Sequence, residues 1–268
     1  MSITSEVSFG LTKVPTKNED FIVTNFRFSD NTETKSGEVI YDEDGDLIRD
    51  FKEEHTIKIR HKIQTDLSNV GFQVWRGSLY LADFALENAK LFENQRVLEI
   101  GAGTGLTSIV VSNYCNASEV CATDLKDFTD LIEDNVKFNN SSASVKLLDL
   151  FNFSDFSGDY DIILGADVIY DNDITEAVIN FMNFVVKKAS KDLQFLFSID
   201  KRYIFTLDDL ETVAPAYEFF VAKFADLEFD FDLEEISNVP QHFCYERSNS
   251  FQKSSDLIIL SLKSKIKR

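Results

Sequence analysis

Gly101, Gly103 and Gly105 follow directly on an apolar run that carries an acid, Glu99, in the segment Val97 to Leu106 (VLEIGAGTGL). Residues of these types bind ligands through the backbone. Glycine permits positive φ and close approach, so such a turn presents bare N–H groups and the positive end of the next helix to a nucleotide-type ligand. The spacing is G-x-G-x-G, because Leu106 stands where a dinucleotide fingerprint carries its third glycine. About 20 residues further on, Val120 to Asp124 (VCATD) is a second apolar run ending in an acid, as a ribose-binding carboxylate requires. Two more acids close similar runs: Asp149 in VKLLDL and Asp167 in YDIILGADVIY.

These residues need a scaffold that brings strand ends together. Phe21 to Ile63 holds short alternating segments separated by polar turns, with a hairpin signal at Asp44-Gly45, and predicts antiparallel strands; residues before about 20 are expected to be poorly ordered. In Gly71 to Ala89, Trp75, Leu79, Ala82, Leu86 and Ala89 repeat at intervals of four and three, one stripe of an amphipathic helix. Strand and helix then alternate: the glycine strand, a helix over Thr107 to Tyr114, a strand at Val120 to Thr123, a helix over Asp127 to Phe138, and strands at Val145 to Leu150 and Tyr160 to Tyr170. Asp173 with Glu176 reads as a capping box for a helix through Val186. A fifth strand at Leu193 to Ile199, a helix over Leu207 to Phe224 that Pro215 either kinks or restarts, and late strands at Leu227 to Ile236 and Asp256 to Leu262 complete the chain. Alternation of this kind implies right-handed crossovers and an α/β fold around a parallel sheet. Ligands of such sheets sit beyond the carboxyl ends of the strands, so Glu99, Asp124, Asp149 and Asp167 converge on one cleft. The expected division is an N-terminal β cap over residues 1–69 and a catalytic-type domain over residues 70–268.

Composition narrows the partners. With 268 residues, 44% hydrophobic content and 25 Phe, the chain is long and apolar enough to bury one large aromatic core. Its net charge of −19 argues against a broad nucleic-acid surface, which needs clustered Lys and Arg, and favours a basic protein partner. Cys115, Cys121 and Cys244 lack paired C-x-x-C spacing, and His55, His61 and His242 form no ligand cluster, so reduced thiols and no metal site are expected. The N-terminus shows no basic-then-apolar secretory pattern and no apolar run is long enough for a membrane span, which predicts an intracellular protein without membrane contact.

The glycine turn, the spaced acids and the late antiparallel strands resemble the seven-stranded S-adenosylmethionine-dependent methyltransferases, whose Rossmann-like sheet has the order 3-2-1-4-5-7-6. A narrower likeness lies in GADVIY (Gly165 to Tyr170), in VWRGSLYLADF and in SIDKRYIFTL. D-x-x-Y after the fourth strand, with a Trp before the glycine motif, is similar to the family-16 protein methyltransferases, mostly lysine-specific enzymes. Amino-methylating nucleic-acid enzymes of this fold instead carry an Asn/Asp-Pro-Pro-Tyr/Phe motif there, and this chain has no proline at Val168 or Ile169.

That resemblance implies S-adenosyl-L-methionine as cofactor. Gly101, Ala102, Gly103 and Gly105 would form its methionine and ribose cradle, with Glu99 supporting the amino end and Asp124 taking the ribose hydroxyls. Asp149 would lie by the adenine. Leu150 stands where relatives often carry a Trp that packs on the ring, and that departure would weaken stacking. Ala166 would touch the cofactor through its backbone and Trp75 would wall the pocket. Asp167 and Tyr170 would be catalytic, Asp167 drawing in the lysine and Tyr170 bounding its channel. A closer likeness within the family implies as client a nuclear zinc-finger protein associated with nucleic acid, with which the acidic charge of the chain is compatible; nucleus and cytoplasm are the expected locations and a monomer the expected state. RNA or DNA methylation, and a cofactor-binding scaffold without turnover, are the alternatives. The N-terminal cap and Lys201 to Phe205 are the expected recognition elements.

Overall fold

A computed structural model of the chain describes residues 2–4, 14–15, 20–29, 40–41, 47–48, 54–206, 211–227, 229–245 and 256–265. Apart from the two-residue strands Val14–Pro15, Ile40–Tyr41 and Leu47–Ile48, four strands come first among the described residues: β1 (Ser2–Thr4), β2 (Ile22–Ser29), β3 (Glu54–His61) and β4 (Gln64–Asp66). The alternating part follows as α1 (Arg76–Glu87), β5 (Arg96–Ile100), α2 (Leu106–Tyr114), β6 (Glu119–Asp124), α3 (Lys126–Phe138), β7 (Ser144–Leu147), β8 (Ile162–Ala166), α4 (Asn172–Lys188) and β9 (Gln194–Asp200). Helix α5 (Pro215–Ala225), β10 (Phe231–Ile236) and β11 (Leu257–Ser264) close it.

The central sheet runs β7-β6-β5-β8-β9-β11-β10, which is the 3-2-1-4-5-7-6 order. Strands β5 to β9 pair in parallel, and β11 lies antiparallel to both β9 and β10. The chain leaves β5 toward β6 on one side and returns to β8 on the other, so the crevice opens at the carboxyl end of β5. Register places the functional row: Ile100 pairs with Thr123 and Gly165, Leu147 with Asp124, and Ala166 with Ser198.

Period-two alternation divides the core between the two faces of the sheet. Val97, Ile162, Leu164 and Leu196 face a cluster with Leu79, Tyr80, Ile109 and Val110 of α1 and α2. Leu98, Ile163, Phe195 and Phe197 face another with Phe181 and Met182 of α4 and Phe220 of α5. The N-terminal strands share the first cluster through Phe26, Phe28, Ile57 and Ile59. They are also tied to α3: Asn135 Oδ1 accepts from the Arg60 N–H at 2.7 Å, and the Asn135 amide donates to the Arg60 carbonyl at 3.0 Å.

Several sequence expectations are corrected. The stripe over 71–89 is not one helix: a 3-10 segment, Leu67–Phe72, and an extended step precede α1, and Trp75 is that extended step (φ −103°, ψ 152°). Asp171, not Asp173, caps α4, accepting from the Asp173 and Ile174 N–H groups at 2.9 and 3.3 Å. Of the two roles open to Pro215 the structure shows the restart, since its missing N–H costs nothing in a first turn, while Glu211–Val213 just before it is a strand and not helix. Before residue 20, Ser2–Thr4 is ordered, paired antiparallel with β4. Asp44 and Gly45 lie outside the described residues, although Ile40–Tyr41 pairs antiparallel with Leu47–Ile48 on either side of them.

Candidate active site

The glycine loop between β5 and α2 forms one wall of a cavity of about 340 Å³ at the carboxyl edge of the sheet. All three glycines have positive φ. A Cβ on Gly103 would lie 3.0 Å from the Gly71 carbonyl oxygen, so the 3-10 segment can cross the loop only because residue 103 has no side chain. Gly105 (φ +77°) is the residue before α2; a Cβ there would meet Ile132 of α3 at 2.8 Å, and Gly105 packs helix on helix without lining the cavity.

Asp124, the last residue of β6, borders the cavity and is fixed by backbone donors: the Gly103 N–H reaches Oδ2 and the Leu125 N–H reaches Oδ1, each at 2.7 Å. Burial pushes its pKa up to about 6, and these two bonds pull it partly back. Each oxygen takes one of these donors and keeps acceptor capacity for a further hydroxyl.

Glu99 stands differently from its expected place. It is fully buried behind the glycine turn, does not line the cavity, and accepts from the Ser108 N–H at 2.9 Å and from the Ser108 hydroxyl. It therefore satisfies a donor in the first turns of α2. Burial holds its pKa at about 7, with the Ser108 and Thr107 hydrogen bonds opposing the shift.

Beside Asp124, where the Leu148 N–H donates to its carbonyl at 2.9 Å, the walls become apolar. Asp149 and Leu150 line this part, as expected, and Phe128, Leu148 and Phe151 line it with them. Asp149 Oδ1 accepts from the Phe151 N–H at 2.9 Å, a turn that carries Phe151 to the rim. Two aromatic rings, those of Phe128 and Phe151, thus line the cavity together with Leu150. A carboxylate with spare acceptor capacity, a glycine cradle and an apolar slot together fit an adenosyl cofactor bearing an amino-acid tail.

At the far end of the cavity stand Trp75, Ala166, Asp167 and Tyr170. The Trp75 indole N–H donates to the Val70 carbonyl at 2.9 Å, so Trp75 pins the 3-10 segment while its ring walls the cavity. Asp167 is 7% exposed and adopts φ +57°, with its N–H donating to the Ser198 carbonyl at 3.0 Å. Tyr170 is 40% exposed. Burial raises the pKa of its hydroxyl, as do the nearby charges of Asp171, Asp124 and Asp167.

Trp75, Asp167 and Tyr170, with Leu67 and Val70, also border a second cavity of about 230 Å³, to which Ile3 and Arg202 add further walls. Asp167 does not meet this space as a lone acid: Arg202 Nη2 donates to its Oδ2 at 2.5 Å. Sequence reasoning flagged Lys201 to Phe205 as a loop but did not single out Arg202. It missed Ile3, Leu67, Phe128 and Phe151 as well. Leu67 lies in a 3-10 segment and Phe151 in a turn, both without periodic signal, and Phe128 carries only the helical period of α3, which marks it as core.

Comparison with known proteins agrees with this geometry. A family model described as lysine methyltransferase matches residues 51–212. Methyltransferase-like protein 22 of Mus musculus is 35% identical over 245 residues, covering 78% of this chain and 62% of that protein. The Homo sapiens protein of the same name is 33% identical over 223 residues, covering 71% and 55%. Protein-lysine methyltransferase METTL21E of Mus musculus is 32% identical over 184 residues, covering 63% and 67%. The chain thus spans little more than half the length of the two methyltransferase-like 22 relatives.

Proposed function

The chain belongs to the lysine methyltransferase family, and from that premise we propose that it methylates a lysine side chain of a protein substrate. Its cofactor is S-adenosylmethionine. One observation carries the reading: the larger cavity fits this cofactor, and the smaller one shares with it the wall of Leu67, Val70, Trp75, Asp167 and Tyr170.

Gly101, Ala102, Gly103 and Asp124 would hold the methionine and ribose parts, with Asp149 and Leu150 along the adenosyl side and Ala166 touching the cofactor through its backbone. Bound there, S-adenosylmethionine supplies a methyl group activated by a positively charged sulfur. The chain's own residues then have two tasks, alignment and access for an uncharged amine. Lysine has a reference pKa near 10.4, so it must shed a proton before it reacts. Ile3, Leu67 and Val70 suit the aliphatic stem of a lysine, and Trp75 and Tyr170 narrow the passage. The raised pKa of Tyr170 keeps its hydroxyl protonated, and its oxygen can accept from an amine N–H while leaving the nitrogen lone pair free to attack the methyl group. Positioning is the main catalytic contribution.

For the client we propose a basic protein, specifically a zinc-finger protein associated with nucleic acid, met in the nucleus and cytoplasm by a monomeric enzyme. The net charge of −19 supports electrostatic steering of such a partner. Among the described residues no helix is long and apolar enough to cross a membrane.

The test is incubation of the purified protein with radiolabelled S-adenosylmethionine and a cell lysate, divided into nuclease-treated and protease-treated halves. The expected label survives nuclease, is lost with protease and maps to lysine. Label destroyed by nuclease would assign the activity to RNA or DNA; cofactor binding with no label would assign a scaffold.

A further inference from the structure

Arg202 takes its place at some conformational cost. Among the described non-glycine residues with left-handed φ, four are Asn and one is Asp167; the sixth is Arg202, at φ +36°. Asn and Asp tolerate this region because their short side chains bond locally, whereas a long basic residue gains no such relief. The turn folds the loop after β9 back across the carboxyl end of β8. There the guanidinium reaches Asp167 Oδ2 at 2.5 Å and lies 5.5 Å from the centre of the Trp75 ring. The loop is held from beneath: the Arg202 N–H contacts Asp200 Oδ1 at 3.4 Å, and Asp200 Oδ2 forms a buried ion pair with Arg76 of α1.

This arrangement changes what Asp167 does to an incoming lysine. A buried carboxylate alone stabilises the ammonium form, which has no lone pair to donate. With Arg202 seated on it the pair is neutral overall, and the guanidinium repels a second cation. The guanidinium stays charged at every pH an assay reaches. The neighbouring groups act alike with and without Arg202: Tyr170 is held protonated, Asp171 accepts from two N–H groups at the start of α4, Asp200 is paired with Arg76, and Asp124 accepts from the glycine loop.

We infer that Arg202 is a positioning residue that sets the charge of the lysine passage. By holding Asp167 in an ion pair, it prevents the passage from trapping the substrate amine as ammonium and favours the neutral form. The inference rests on the proposed methyl transfer and deepens it.

The experiment compares the full-length protein with Arg202→Gln and Arg202→Lys. The probe is the client protein recovered from the labelling reaction above, at saturating S-adenosylmethionine, with kcat and KM followed against pH. For Arg202→Gln the rising limb of kcat is expected to move alkaline by about one pH unit, the low end of the shift an adjacent opposite charge produces. KM should be equal or lower, and Arg202→Lys should restore the limb. Carbon-13 NMR of the Asp167 carboxyl gives a reading independent of turnover: its titration should move to higher pH in Arg202→Gln. Superimposable pH profiles, or an Asp167 titration unchanged by the substitution, would overturn the inference. So would equal losses of cofactor affinity in both variants, which mark a purely structural role. Absence of turnover in the wild type would instead sink the methyl-transfer reading, while the NMR titration still decides whether Arg202 sets the charge on Asp167.

Discussion

The two ends of the cleft are built in different ways. At the glycine end, Asp124 is fixed by two backbone N–H groups, one from the loop after its neighbouring strand and one from the next residue. At the lysine end, Asp167 is fixed by a side chain 35 positions away, Trp75 by a carbonyl of a 3-10 segment, and the outer wall by Ile3 on a strand near the N-terminus. The first end is a property of a βαβ unit. The second is assembled from four separate parts of the chain, so variation there can change the client while the cofactor site is kept.

If this division is right, substitutions at the two ends should separate kinetically. The largest effect is expected for Asp167→Asn, with kcat falling by about 100-fold through lost positioning and cofactor Kd essentially unchanged. Equal damage to both constants, measured by calorimetry beside turnover, would break the comparison. Asp124→Asn should do the reverse: loss of a charged acceptor worth about 1.5–3 kcal/mol weakens cofactor binding roughly 10- to 100-fold, with kcat largely recovered at saturation.

The pH dependence of cofactor binding sharpens the contrast. Asp124 titrates at about 6, above the ordinary value of 3.8. It is therefore neutral, and a poorer acceptor, at lower pH. Cofactor affinity should fall as pH drops through about 6, reaching roughly a tenfold loss one unit below, and Asp124→Asn should flatten that slope. A flat wild-type profile would remove Asp124 from the ribose role.

Tyr170→Phe is expected to reduce kcat by only about threefold to tenfold, because the ring still walls the passage and a single hydrogen bond is lost. A larger fall would give the hydroxyl a direct part in proton movement. The smallest effect concerns Glu99 and stability. Its folded pKa of about 7 exceeds the ordinary 4.5, so its contribution is full below about 4.5 and is lost as pH rises through about 7. The wild-type Tm should decline across that window, and Glu99→Gln should lessen the decline while leaving cofactor Kd within about twofold, since Gln still accepts from Ser108. A marked loss of cofactor affinity would return Glu99 to the cavity.

The glycine end was legible in advance because its signals are short-range. Gly101 to Gly105 and Asp124 sit at spacings that a strand, a turn and a helix impose, and parallel pairing aligns the strand ends without help from side chains. Strand-helix alternation likewise made the α/β sheet readable, and the resemblance supplied its order. The misread segments were those where local pattern and tertiary role diverge. The apolar stripe through Trp75 has helical period, yet the chain stays extended there because the indole bonds to Val70. Glu99 shares the spacing of a ligand residue, yet burial against Ser108 turns it toward α2.

By itself, then, the sequence determined the residues that local backbone geometry places: the glycine loop, the ribose-side acid and the acids at the strand ends. Only the tertiary structure decided their partners. Whether Asp167 meets a lysine as a bare charge or as half of an ion pair depends on a loop after β9 folding across β8. Coulombic interaction follows distance in space, and no spacing along the chain encodes that distance.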